Sequence, residues 1–545
     1  MAAPSYTEDL TDIDLAESTT DWATVNYSGG GGAALDFGPD LAMQGVNCVL
    51  RQVSGHERGA LYQSPTIVST ANSHIFQWVF VANPGLTANI QNRGVCVIAS
   101  NATNNSVRFH VDGNDTFGAS GRVGKCYAYK YVTTANTSPP YRTIEGTPGS
   151  ASSLFFFGAS LNISSTAKGL NLGVDAVRHG TGGYITAGDG TTPATFDGFA
   201  TVNDYNDATN GYNRWGILSK VGVGYELQGR LVFGQDNSKT PTACTSIDSD
   251  RSISFVDTIH AEADFTQVIV DHASTVIDWS NINFTALGTT NPGRFVVNNA
   301  STSVDIVGGV WTGIGITTLR AGCTIDGLTW RESGQITQNG ATISNAIIAL
   351  SSNASALLSD NPGLISGVRF IGDGTGHGIE IDTPGTYTFS ANIFESGYST
   401  TSPGSNPTPS TGSTDAMVYN NSGGLVTLNI TDSGTTPTVR NAASSTTVVN
   451  NNTSVTFTGM KDNTEVRVYN ASTGAEVAGI ENATAGTVDN RSFNFSAASG
   501  LSVNYVLHNW SASAPDYESI RVNGYVIPGT ATSIAVQQRI DRNSV

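Results

Sequence analysis

Two aspartates stand at matching places in this chain: Asp278 precedes Trp279, and Asp305 precedes Ile306. Each lies one residue before a large apolar position, so in neighbouring coils of a parallel β-fold the two carboxylates would stack about 5 Å apart, the spacing of adjacent strands. Carboxylates that close repel when both ionise, which raises one pKa and equips the pair as acid and base on a glycosidic bond. If the chain is an enzyme, Asp278 and Asp305 carry its reaction. Against that, no arginine or second glutamate column accompanies them, and solvent-facing acids are the simpler reading. Trp279, Trp311 and Trp330 have the chemistry of sugar-stacking platforms, yet they occupy positions that read as core.

The remaining constellations are weaker. Asp204 and Asp207, like the run Asp112-Gly-Asn114-Asp115, supply enough oxygen for Ca²⁺ but lack the calcium-loop pattern with its terminal Glu, so turn-forming clusters explain them better. Ala119 to Cys126 approaches a phosphate-binding loop, with Cys126 where the metal-binding Ser/Thr belongs, and the strand-like Tyr127 to Val132 that follows offers no helix N-terminus. Eight histidines are scattered without metal-site spacing, and five cysteines (Cys48, Cys96, Cys126, Cys244, Cys323) form no C-x-x-C pair. They read as small buried hydrophobes. Neither a cofactor nor a metal is expected.

The elements that must position these residues announce themselves as a repeat. Six segments align: Trp279 to Phe284, Ile306 to Trp311, Ile325 to Trp330, Ile343 to Ile348, Ile365 to Phe370 and Phe389 to Phe394. Their ends step along the chain by 18 to 27 residues, about one coil of a parallel β-helix. First and sixth positions are always large and apolar, as inward ladders require. The second position is mostly Ser and faces outward, while the third is Asn, Gly or Ala, residue types that include the usual occupants of a tight left-handed corner.

Before the repeat, short alternating runs such as His74 to Ala82 and Ser106 to Val111 are separated by Gly, Asn, Asp and Ser, the pattern of a β-sandwich. After it, Ser399 to Thr414 is a low-complexity excursion, coil-like strands resume at Ala416, and Asn523-Gly524 between alternating residues predicts a hairpin. The fold is therefore expected to be all-β. Residues 1–245 form a jelly-roll or lectin-like N-terminal β-sandwich with an extended arm, residues 246–450 a right-handed parallel β-helix interrupted at 399–414, and residues 451–545 an immunoglobulin-like β-sandwich.

Composition limits the partners. Charged residues are 13% of the 545-residue chain, against roughly 25% in ordinary soluble domains, only six are lysines, and the net charge is −18. Nucleic-acid binding needs clustered Lys and Arg and is disfavoured. No apolar run is long enough to span a bilayer as a helix. The opening residues, Met1 to Asp9, lack the basic and apolar regions of a secretory signal, so synthesis and folding in a cytosol are expected.

Three segments carry a resemblance: Leu15-Ala-Glu-Ser-Thr-Thr-Asp-Trp22 followed by Gly29 to Gly32, the stretch Asn171 to Gly188, and the ending Ile534 to Val545. In these the chain resembles virion structural proteins of tailed bacteriophages, especially marine ones. The resemblance implies a surface appendage of the particle: a tail fibre, a tail spike or a capsid-attached fibre or decoration. It transfers no functional residue. The expected function is structural, with contact to host-surface glycans and other virion proteins. The alternatives are a polysaccharide depolymerase on a tail spike and a non-viral carbohydrate-binding adhesin. With so few lysines to protect an exposed β-flank, lateral association is expected to close as a homotrimer.

Overall fold

A computed structural model describes the chain except for residues 1–4, 9, 28–33, 39–46, 54–55, 72, 83–89, 103–104, 112–123, 138–140, 164–169, 181–183, 189, 191, 201–216, 222, 237–239, 257–265, 288–292, 301, 403, 406–413, 433, 482–490, 510–516 and 542–545. Its regular secondary structure is nearly all strand. The chain divides into two compact units, one of Met1–Cys323 with Glu332–Gly334 and one of Thr324–Arg331 with Gln335–Val545, and the division falls inside the strand Cys323–Asp326.

The first unit begins with two antiparallel sheets. One runs in the order Gly124–Lys130, His74–Ala82, Leu170–Gly180, Cys48–Val53, Leu35–Gly38; the other runs Arg142–Glu145, Asn105–Val111, Ile90–Ala102, Leu154–Ile163, His56–Val68, Trp22–Asn26. Alternation along these strands sends Val79, Val97, Phe109, Phe157 and Leu161 into one shared core. The N-terminal segment is extended, with strands Ser5–Glu8 and Thr11–Asp14.

Parallel coils follow, and they start earlier than the expected boundary at 246. Tyr184–Gly188 already pairs in parallel with Arg230–Phe233, and Gly224–Leu227 with Ser252–Val256. The weak sequence signal here has a cause: the first coils lack the six-residue motif and close on a short helix, Phe196–Phe199, capped by the Thr195 hydroxyl. Phe196 and Phe199 pack on Phe233, and Phe196 also meets Trp279.

The expected columns are present in both units. Trp279 pairs with Ile306 and Phe284 with Trp311; in the second unit Ile325, Ile343 and Ile365 form one ladder, and Trp330, Ile348, Phe370 and Phe394 another. All are buried. The third position is left-handed in every repeat: φ is 54° at Asn281, 67° at Gly308, 69° at Gly327, 52° at Asn345, 65° at Gly367 and 54° at Ala391. At Gly308 a Cβ would also approach Asn281 Oδ1 to 2.6 Å, so a side chain there would have to displace the Asn281 amide.

After the excursion the coils continue through Val418–Asn420, Leu425–Thr431 and Thr446–Asn450. A two-sheet immunoglobulin-like sandwich ends the unit around Phe457, Val466, Val468, Val503 and Leu507. The Asn523-Gly524 hairpin is corrected. Ile520–Val526 is one strand, and Gly524 (φ 69°) lies where its register against Ser502–Asn509 shifts. Asn-Gly signals a left-handed residue, and a bulge inside a continuing strand uses one as readily as a turn does; the Gly524 N–H donates to Asn504 Oδ1 at 2.9 Å.

Candidate functional site

The fold does bring Asp278 and Asp305 together. Their strands, Val276–Ser280 and Ser303–Val307, pair in parallel with Asp278 opposite Asp305, and Ile247 continues the same outward column. Because Ile277, Trp279, Val304 and Ile306 claim the interior, alternation leaves both carboxylates exposed. Among the described residues neither makes a hydrogen bond or ion pair. Their surroundings are half-exposed Ile247, Val276 and Val307. A glycosidase pair needs two environments that differ, one favouring the acid and one the base; these two acids share one open face.

The three tryptophans are core. Trp279 and Trp311 are fully buried and Trp330 is 1% exposed. The indole N–H of Trp279 donates to Ser246 Oγ at 3.0 Å and that of Trp311 to the Ile282 carbonyl at 3.1 Å. No sugar reaches them. All five cysteines are buried and none is disulfide-bonded. Asp204, Asp207, Asp112 and Asp115 lie outside the described residues, as do residues 119–123 of the phosphate-loop near match; its continuation, Gly124–Lys130, is a strand. Among the described residues no three of His, Cys, Asp and Glu are grouped to hold a metal.

A cluster that the sequence did not single out lies in the second unit. The excursion returns to the coils at Asp415, whose Oδ1 accepts the Ala416 N–H at 2.7 Å. Arg440 grips the same carboxylate in a fork, Nε to Oδ1 at 2.7 Å and Nη2 to Oδ2 at 2.6 Å. His377 Nδ1 lies 3.0 Å from Asp415 Oδ2, and its Nε2 lies 3.4 Å from Glu380 Oε2. Glu380, Tyr419 and Arg440 are register partners on three successive strands, which stacks the guanidinium 3.7 Å from the Tyr419 ring centre.

The electrostatics follow from this geometry. Burial works against the His377 imidazolium, but the Asp415 and Glu380 hydrogen bonds and charges outweigh it and lift its pKa above the ordinary 6.5. Burial likewise opposes the Asp415 carboxylate, and His377, Arg440 and the Ala416 N–H together hold it well below the ordinary range. Glu380 is lowered chiefly by His377. Both ring nitrogens of His377 are engaged by carboxylates, and Arg440 Nη2 lies 3.5 Å from Nδ1. The adjoining cavity, bordered by Ser351, Asn353, Asp373, His377 and Tyr398, is about 10 Å³, room for roughly one water. The cluster holds chain to chain.

A second polar group lies on the N-terminal sandwich, where Cys96 Sγ is 3.1 Å from His110 Nδ1 and His110 Nε2 is 2.6 Å from Thr143 Oγ1. This resembles a nucleophile and its base. Burial, then the Glu57 charge, pushes the fully buried Cys96 thiol up, the opposite of what a thiolate nucleophile requires.

No family model and no curated protein matches this chain. Among solved structures, a family 11 carbohydrate-binding module from Clostridium thermocellum in complex with a β-1,3-1,4-mixed-linked tetrasaccharide is 12% identical, covering 33% of this chain and 96% of that one at a TM-score of 0.22. The Agl-KA catalytic domain is 10% identical over 82% of this chain and 99% of that one, at 0.20. The catalytic domain of a GH87 α-1,3-glucanase in complex with nigerose is 11% identical over 80% and 88%, at 0.22. Similarity at this level transfers no residue and no activity.

Proposed function

We propose that this chain is a structural protein of a tailed-bacteriophage particle, a trimeric surface appendage that contacts host-surface glycans without cleaving them. The observation that carries this reading is the contrast between filled interior and featureless acid pair. The inward columns pack from coil to coil, with Phe284 and Phe295 centred 4.8 and 4.9 Å from Trp311 and Phe370 stacked 4.7 Å from Phe394. The acids best placed for glycoside chemistry stand on an open face without partners. Low charge, a repeated β-scaffold and the resemblance in the three segments quoted above add support.

The test is to incubate the purified chain with host polysaccharide, measure bound protein and released reducing ends, and locate the chain on a particle by electron microscopy. Binding without new reducing ends, on an external fibre or spike, is the expected result. Robust cleavage abolished by Asp278→Asn or Asp305→Asn would establish the depolymerase instead. Light scattering should give three times the 56.7 kDa chain mass; a monomer persisting at high concentration overturns the trimer.

A further inference from the structure

In the second unit one sheet differs from its neighbours. Its first strand in this unit ends on Asp326, and the strands that follow, Thr342–Ser344, Ile365–Ser366, Gly385–Ser390, Leu425–Thr431 and Thr446–Asn450, contain no charged residue. The other two coil sheets of the unit carry Arg331 and Arg369, and Glu380 and Arg440, within their strands. Within its strands this sheet carries no cation.

That face is an ordered array of hydroxyls and amides. Ser344, Ser366, Ser390 and Thr431 are register partners on consecutive strands, and so are Thr388, Asn429 and Asn450. A third column pairs Thr386 with Thr427. Thr386, Thr388 and Asn450 are exposed, and the Asn450 amide donates to Asn429 Oδ1 at 2.9 Å, fixing both. Ionised groups border the array: Asp326 accepts from Ser344, Asp432 accepts from Ser390 and Thr431, and beside Tyr387, whose pKa burial raises, Asp360 and Asp382 lie near enough to raise it further. Among the hydroxyls, Leu425 (55% exposed) and Val448 (43%) sit on adjacent strands, register partners of Thr446 and Thr427.

We propose that this face binds an extended, uncharged polysaccharide laid along the columns, which names the contact surface for the glycan reading above and rests on it. Each column repeats at about 4.8 Å and presents donors and acceptors together, as a chain of sugar hydroxyls does. Threonines on strands are stiff at χ1, so little side-chain entropy is lost on binding. Leu425 and Val448 offer apolar contact to the C–H faces of the rings. An acidic polymer finds no cation on the face and meets a chain of net charge −18. Individual contacts are weak, and repetition along the polymer multiplies them.

The test is affinity electrophoresis of the full chain in gels containing a neutral β-glucan, dextran or alginate, at low and high salt. A neutral glucan should retard the wild type equally at both salt concentrations, and alginate should not. Thr388→Lys and Asn429→Lys should each weaken retardation at least tenfold with an unchanged melting curve. Ile393→Lys, on a different sheet, should leave retardation intact. Thr388→Val, nearly isosteric, covers the case where lysine disturbs folding and should weaken binding in the same direction. If the wild type binds a neutral glucan and all three array variants bind equally well, this face is not the site although the glycan reading stands. Retardation by alginate alone overturns the neutral ligand, and no retardation by any polymer overturns both readings.

Discussion

Asp278 and Asp415 each belong to a coil of parallel β-structure, and they come to opposite ends. Asp278 is repeated in register by Asp305, which is what the spacing predicts, yet both acids stand on an outward column without partners. Asp415 belongs to no repeat. It is 3% exposed and receives Arg440, His377 and a backbone N–H. Regular spacing therefore brings like residues together but gives them nothing to act against, whereas the irregular excursion delivers an acid to a place where three elements converge on it. Burial and partners make a polar cluster consequential, not recurrence.

Breaking the buried member should produce the largest effect. Asp415→Asn leaves Arg440 and His377 beside a neutral amide and should destabilise the second unit by about 3–5 kcal/mol, the cost of removing one partner from a buried pair. Trp311→Ala and Phe370→Ala should fall in a similar range, about 3–5 kcal/mol, because each empties an inward ladder position. Calorimetric or denaturant melts check both.

The same comparison predicts a pH window. His377 is raised in the folded chain, so its contribution is complete below about pH 6.5 and is lost as pH rises through the folded value. Asp415 and Glu380 are lowered, so theirs are present above their ordinary values of 3.8 and 4.5 and fade as pH falls through the folded ones. Stability of the second unit should therefore hold between about pH 4.5 and 6.5 and decline on either side. His377→Gln should remove the alkaline decline.

Smaller effects sharpen the corner and surface positions. Ala391 has φ 54° without being glycine; Ala391→Gly relieves a left-handed strain of about 1–2 kcal/mol and returns part of it as unfolded-chain entropy, for a net gain of roughly 0.5 kcal/mol. Ser344→Ala removes a 2.7 Å hydrogen bond to Asp326 at the surface and should stay within about 0.5 kcal/mol.

What the sequence disclosed follows the same division. The inward columns and left-handed corners were legible because each coil repeats the same physical demand on the same position: a filled interior at Trp279 or Ile343, a tight bend at Asn281 or Gly367. The early coils from Tyr184 were not, since Phe196 and Phe199 from a helix and Phe233 from a strand fill that interior without the six-residue motif. Nor was the Asp415 cluster, for His377 and Arg440 are brought together by coil register across an insertion of irregular length. At Asn523-Gly524 only the glycine is left-handed, and it serves a bulge inside a continuing strand rather than a turn.

The comparison is tested most directly by melting Asp278→Asn and Asp415→Asn in parallel with the wild type at pH 5.5. Asp278→Asn should melt with the wild type and Asp415→Asn far lower. An Asp278→Asn chain as destabilised as Asp415→Asn, or an Asp415→Asn chain indistinguishable from wild type, would contradict it.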